Sequence, residues 1–190
     1  MVVAIREASV AALPQYESVP IAFRVTSRFA VTAIDGGLGG FQLTEEPVTP
    51  YIKDYDADAS QRPPRWPHRW DMTHWGIFTA HLDAQLVGGA AVAWRTPELC
   101  LLDGREAVAC LWDLRVHPDY RSRAIGHQLF ARALDWSRER GCRIFQVETQ
   151  NINVPACRFY ARQGCELAAI NRYAYDAALN EVQLIWYRDI

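Results

Sequence analysis

At 190 residues, of which 50% are hydrophobic and 22% charged, the chain carries enough apolar side chains to bury the core of one domain, which excludes a disordered segment. A formal net charge of -2 gives no general attraction to nucleic acid or to an anionic membrane, so any anion-binding surface has to be a local cluster. No apolar run is long enough to span a bilayer, and Arg6 and Glu7 interrupt the apolar start before it reaches the length of a secretory leader.

Five cysteines, an odd number without paired CxxC spacing, read as reduced and mostly packed thiols, and the five histidines lack a ligand-spaced pair. The expectation is a cytoplasmic protein of one domain, residues 1–190, with no metal, no membrane partner and no nucleic-acid partner.

Residues 1–21 read as a strand and a partial helix packed on the outside, with Pro14 and Pro20 limiting both. Phe23, Val25 and residues 29–34 are strand-like. The cluster Gly36-Gly-Leu-Gly-Gly40 is a flexible break before apolar and polar residues alternate from Phe41 to Thr44. No helical pattern follows those glycines, so they do not form a phosphate loop.

From about residue 55 to residue 73 the chain is rich in Asp, Pro, Arg and Trp, the composition of an irregular surface excursion. Arg62, Arg65 and Arg69 interleave with Trp66 and Trp70 as on a single-strand nucleic-acid platform, but a short prolyl loop packing its tryptophans is the preferred account. Asp54, Asp56 and Asp58 either attract a cationic amine or form a solvated loop. Residues 75–81 and 85–94 form a hairpin about Leu82-Asp-Ala84, and residues 108–116 supply a further strand.

That strand runs into Val116-His-Pro-Asp-Tyr-Arg-Ser-Arg-Ala-Ile-Gly126, a tight basic loop that opens a helix. Amides at a helix start lack internal partners, and the aligned peptide dipoles add about half a positive charge there. Arg121, Arg123 and those amides are therefore expected to converge on a pyrophosphate.

Ile125, Leu129, Ala133 and Trp136 recur at helical spacing until Gly141 stops the helix. A strand over residues 142–149 follows, then a short helix opened by Pro155 and closed by Gly164. Residues 166–175 and 182–188 are strand-like, with a turn around residues 178–181. Hairpins on either side of a strand, loop, helix, strand, helix unit predict an α+β fold with a mixed, mostly antiparallel sheet flanked by helices.

Two blocks carry a family resemblance. Arg121-Ser-Arg-Ala-Ile-Gly126 is similar, except at one position, to the Arg/Gln-x-x-Gly-x-Gly/Ala loop of the GNAT superfamily of acyl-CoA N-acyltransferases. Glu148-Thr-Gln-Asn-Ile-Asn-Val-Pro-Ala-Cys-Arg-Phe-Tyr-Ala-Arg-Gln-Gly164 is similar to that family's later strand and helix. A narrower resemblance is to streptothricin acetyltransferases, through Glu-Thr-Gln-x-x-Asn-Val-Pro-Ala-Cys at residues 148–157 and Pro-Tyr-x-Lys-Asp-Tyr at residues 50–55. It extends with gaps over about residues 40–188.

The resemblance implies acetyl-CoA as cosubstrate. Its pyrophosphate would rest on Arg121, Ser122, Arg123, Ala124, Ile125, Gly126 and His127, and its pantetheine arm along the backbone of Leu114, Arg115 and Val116. Asn153 would bond it in turn, or only cap the helix beside Pro155. Ala124, where the family pattern has glycine, is expected to be helical already, with weakened or slightly displaced cofactor binding.

The acceptor ammonium has a free pKa near 10.4 and needs a base. Glu148 is the candidate that the resemblance implies, against a plain strand-end carboxylate that pairs with an arginine. Asp113 and Glu106 are rival bases. Tyr160, seven residues after Asn153, either protonates the leaving thiolate or is a core tyrosine.

Asp54, Tyr55 and Asp113 are the substrate-binding candidates. The implied activity is N-acetylation of a small-molecule primary amine, with a streptothricin-like antibiotic as the narrower reading and antibiotic resistance as its role. The alternatives are acetylation of a protein or peptide amino terminus, and a non-catalytic acyl-CoA-binding regulatory module. A homodimer is open.

Overall fold

The computed structural model describes residues 3–190, so Met1 and Val2 of the apolar start lie outside the described residues. In chain order the elements are β1 (Val3–Ala8), α1 (Leu13–Tyr16), β2 (Phe23–Ala33), β3 (Phe41–Lys53), β4 (Gly76–Leu82), β5 (Gln85–Ala93), β6 (Val108–Val116), α2 (Ile125–Glu139), β7 (Ile144–Gln150), α3 (Val154–Arg162), β8 (Glu166–Asn171) and β9 (Gln183–Asp189). Two compact units divide the chain. The first takes the residues up to Ala22, Asp54–Val147 and the last two residues; the second takes Phe23–Lys53 and Glu148–Arg188.

In the first unit the strands are ordered β1-β4-β5-β6-β7. The first three pairings are antiparallel and β6 with β7 is parallel, the mixed and mostly antiparallel sheet that the hairpins predicted. Helix α2 covers one face of β4, β5 and β6 with Ile125, Leu129, Ala133 and Trp136, all buried, as the 3.6-residue spacing requires. Gly141 ends that helix at φ 76°, a conformation that costs glycine little. The Trp136 ring lies so close to β4 that a Cβ on Gly76 would sit 2.7 Å from it, so glycine is what lets helix and sheet approach.

One expectation is overturned in this unit. The partial helix near the start is core: Leu13 and Tyr16 of α1 are 1% and 0% exposed, because their side chains close an apolar cluster with Trp66, Met72 and Trp75. The excursion after residue 55 is irregular and largely exposed, and Trp66 anchors it inward. A 3₁₀ turn over Pro63–His68 inserts Trp66, 2% exposed, edge-on to Tyr16 and Trp112, while its Nε1 donates to the Gln61 carbonyl at 2.8 Å. The tryptophans therefore pack, as the prolyl-loop account had it.

In the second unit β9 stands between the end of β7 and β8, paired antiparallel to β8, and β2 and β3 form a separate two-stranded sheet. β3 is much longer than the alternation at residues 41–44 suggested. It tolerates Pro47 and Pro50 because each strand of a two-stranded sheet has an outer edge where a missing N–H costs no ladder bond. Helix α3 is opened by Pro155 near its start and stopped by Gly164 at φ 77°. The strand read over residues 166–175 ends at Asn171, and Tyr173 to Tyr175 belong to the turn that follows.

Candidate functional site

In the first unit, Ser122 and Ala124 both take left-handed conformations, at φ 62° and φ 60°, in the turn that opens α2. Alternating handedness lets successive amides point to one side, and the 15-residue α2 adds the positive end of its dipole at the same place. The first acceptor inside the helix is Ala124 O, which takes Gln128 N–H at 3.0 Å, so the amides of Ile125, Gly126 and His127 precede the hydrogen-bonded ladder. This donor set fits a diphosphate. The expectation that Ala124 is right-handed is overturned: the turn needs a left-handed residue to swing the amides into line.

The two arginines do less than the sequence suggested. Arg121 donates through Nε to Val116 O and through Nη2 to Ala22 O, both at 3.0 Å, and so fastens the loop to the end of β6. Arg123 lies over the Tyr120 ring at 5.3 Å.

Leu114, Arg115 and Val116 pair with β5 opposite Ala90, Gly89 and Gly88, beyond a bulge at the Ala91/Val92 step. Among the described pairs, β7 accompanies β6 over Val108–Leu111.

Asp113 sits in a closed network. Arg115 grips both of its carboxylate oxygens, at 2.9 and 2.8 Å, and Tyr16 OH donates to Oδ1 at 2.5 Å. The same guanidinium reaches Asp56 at 2.8 Å and the Val19 carbonyl at 3.2 Å. Burial, and after it the Asp113 carboxylate, pushes the Tyr16 phenol well above its ordinary pKa; Arg115 stays charged, held up by Asp113 against its own burial. With its oxygens engaged and the residue 8% exposed, the arrangement favours a structural part for Asp113.

Asp54 is exposed and accepts Asp56 N–H in a local turn, and Tyr55 is half-buried beside it. Glu106 is exposed and pairs with Arg95 at 3.2 Å.

In the second unit, Glu148 is half-buried near the end of β7 and accepts a hydrogen bond from Tyr175 OH on its Oε1. Gln150, two residues on and therefore on the same face of the strand, donates through Nε2 to the Tyr175 oxygen at 3.1 Å. Asn153 caps α3 by accepting Ala156 N–H at 3.2 Å, the cap that the sequence left open. Tyr160, 6% exposed, lies on α3 beside the Phe159 ring.

Asn151 ties β2 to the start of β9, donating to Phe29 O and accepting Val182 N–H, both at 2.8 Å. Tyr175, Gln150, Tyr16 and the Arg115 side chain were not singled out from sequence. Only Gln150 carried a usable signal, its two-residue spacing from Glu148.

Among the described residues no group of three His, Cys, Asp or Glu is arranged to hold a metal, and no helix is long and apolar enough to cross a membrane.

A profile of the acetyltransferase (GNAT) family matches residues 42–165. Streptothricin acetyltransferase A of Bacillus subtilis (strain 168) is 33% identical over 159 residues, covering 78% of this chain and 80% of its own. A crystal structure of nourseothricin acetyltransferase superimposes at a TM-score of 0.77, with 25% identity, covering 100% of this chain and 99% of the other. A structure from Bacillus anthracis str. Ames in complex with acetyl coenzyme A superimposes at 0.77 with 24% identity over the whole of both chains.

Proposed function

The chain belongs to the GNAT acetyltransferase family and is an acetyl-CoA-dependent N-acetyltransferase, and from that premise we propose that its acceptor is a primary amine of a streptothricin-like antibiotic. The observation that carries the transfer chemistry is the turn at residues 121–126, with left-handed Ser122 and Ala124 ahead of α2, whose amides suit a diphosphate. The acceptor is supported by the Bacillus subtilis relative, whose name specifies streptothricin and which is similar over most of both chains. The protein works in the cytoplasm, and its product is an amide that no longer carries the amine's charge, the change that would serve antibiotic resistance.

Acetyl-CoA, when bound, supplies the acetyl group as a thioester. The amides of residues 122–127 hold its diphosphate, Asn153 adds a polar contact, and the backbone of Leu114 to Val116 orients the pantetheine arm. An N–H of that backbone stabilises negative charge on the carbonyl oxygen. Glu148 removes one proton from the acceptor ammonium and frees the nitrogen lone pair, a step needed because an alkylammonium with a pKa near 10.4 is almost wholly protonated at neutral pH. Tyr160 gives its hydroxyl proton to the departing sulfur and recovers one, through water, from the acetylated nitrogen as that nitrogen sheds its second proton. A C–N bond replaces a C–S bond, and one proton is released overall.

The test is acetyl-CoA consumption against streptothricin, aminoglycosides, polyamines and amino-terminal peptides. Turnover on streptothricin is expected. Turnover confined to peptides supports amino-terminal acetylation instead, and binding without turnover supports a regulatory module. Glu148→Gln should lower turnover by about 10²–10⁴-fold. Tyr160→Phe should lower kcat more than acetyl-CoA affinity, since the hydroxyl serves the leaving group rather than the bound ground state. Wild-type kcat in Tyr160→Phe removes that residue from the mechanism.

A further inference from the structure

We infer that Tyr175 is a positioning residue for Glu148: its hydroxyl holds one carboxylate oxygen and leaves the other to take the acceptor's proton. This rests on the reading of Glu148 as base. Three side chains make the arrangement. Gln150 Nε2 donates to the Tyr175 oxygen at 3.1 Å, and Tyr175 donates to Glu148 Oε1.

The direction of the second bond follows from the first. An amide NH₂ only donates, so the phenol oxygen accepts from Gln150 and its own proton is turned toward the carboxylate. Glu148 and Gln150 share a face of β7, which fixes one end of the chain of bonds on a rigid strand.

Tyr175 comes from elsewhere, in the turn between β8 and β9. That turn is itself held locally: Asn171 Oδ1 accepts Tyr173 N–H at 2.9 Å, and Asp176 Oδ1 accepts Ala178 N–H at 2.8 Å. A half-buried phenol with both capacities of its oxygen in use does more than close a loop, because its proton is spent on the group whose orientation sets the reaction. A carboxylate that rotates freely presents its oxygen to the ammonium only part of the time. One held at Oε1 loses that freedom, and the gain appears in kcat.

During turnover the ammonium loses one proton to Glu148, which becomes neutral and passes it to water. Tyr175 keeps its own proton throughout.

The experiment compares Tyr175→Phe, Gln150→Leu, Glu148→Gln and the Tyr175→Phe/Glu148→Gln double variant in steady-state kinetics. Tyr175→Phe should lower kcat about tenfold or more with KM for acetyl-CoA unchanged, the size expected for a lost hydrogen bond to a charged group. Gln150→Leu should act in the same direction and less, and it serves alone if Tyr175→Phe does not fold. In the Glu148→Gln background, Tyr175→Phe should lower kcat no further. An equal fall in both backgrounds, or a wild-type kcat in Tyr175→Phe, overturns the inference while leaving Glu148 as base. A wild-type kcat in Glu148→Gln overturns both.

Discussion

Ala124 holds φ 60° and ψ 9° at the start of α2, a conformation in which an L-residue's Cβ crowds the following carbonyl at a cost of about 1–2 kcal/mol. Sequence alone favoured a right-handed alanine, because alanine is a good helix former and the position adjoins a helix. The turn decides otherwise: left-handed backbone at Ser122 and Ala124 brings successive amides to one side ahead of the first helical turn. Glycine adopts this geometry without the steric cost, so Ala124→Gly should raise the melting temperature by about 2–4 °C, the shift that about 1 kcal/mol produces in a chain of this size. The strain is present whether or not cosubstrate is bound, so acetyl-CoA affinity should stay within about twofold. A thermal melt and a binding titration check both, and an unchanged melting temperature would show that the alanine methyl makes contacts that offset the strain.

Strand β6 joins two kinds of requirement. Its backbone at Leu114 to Val116 is the proposed rest for the cosubstrate, while the side chains of Asp113 and Arg115, two residues apart and so on one face, are sealed against Tyr16 and Asp56. Arg115 is the one cation between two carboxylates in that network, with its side chain 1% exposed. Replacing it by leucine strands a buried negative charge, and the expected loss is about 3–5 kcal/mol in urea unfolding. Tyr16→Phe removes a single donor to a charged group and should cost about 1–3 kcal/mol. A loss in Arg115→Leu no larger than in Tyr16→Phe would mean that the Arg115–Asp113 ion pair adds no more to stability than a single hydrogen bond.

The same strand shows what sequence can carry. Its bounds were readable because the apolar run Val108 to Trp112 opens it and the basic loop after Val116 ends it, and α2 was readable from Ile125, Leu129, Ala133 and Trp136, since local periodicity reports which face is covered. The loop ahead of Gly126 was readable because its signal is contiguous. The Asp113 network was not, because Tyr16 and Asp56 lie 97 and 59 residues from their partners. Tyr175 was hidden for the same reason: nothing in residues 172–176 marks a partner for Glu148, 27 residues earlier, until β8 and β9 have paired. That the tryptophans of the prolyl loop pack was readable from their spacing among prolines, but not that Trp66 would reach Tyr16, 50 residues away in the chain, because that contact is long-range.

Across the whole molecule, groups that resist ionisation are spread over both units, and they set an alkaline limit on stability. None of the five cysteines forms a disulfide. Burial pushes the Cys157 thiol up to about 11, and Cys165 likewise to about 11, from an ordinary 9.0. Burial also raises Cys142 and Tyr16, both in the first unit. A thiol whose folded pKa lies above its unfolded value holds its proton more tightly when folded. Its contribution is therefore complete below pH 9 and is lost as pH rises from 9 toward 11.

For Cys157, 1% exposed, a rise from 9.0 to about 11 corresponds to about 2–3 kcal/mol. Tyr16 extends the decline from pH 10 upward, because its unfolded phenol ionises while the buried one does not. Urea midpoints measured from pH 7 to pH 11 should be flat to about pH 9 and then fall. Cys157→Ala, which leaves a small cavity but nothing to ionise, should start lower and fall less steeply. Parallel curves for the variant and the parent would show that Cys157 does not titrate in this range.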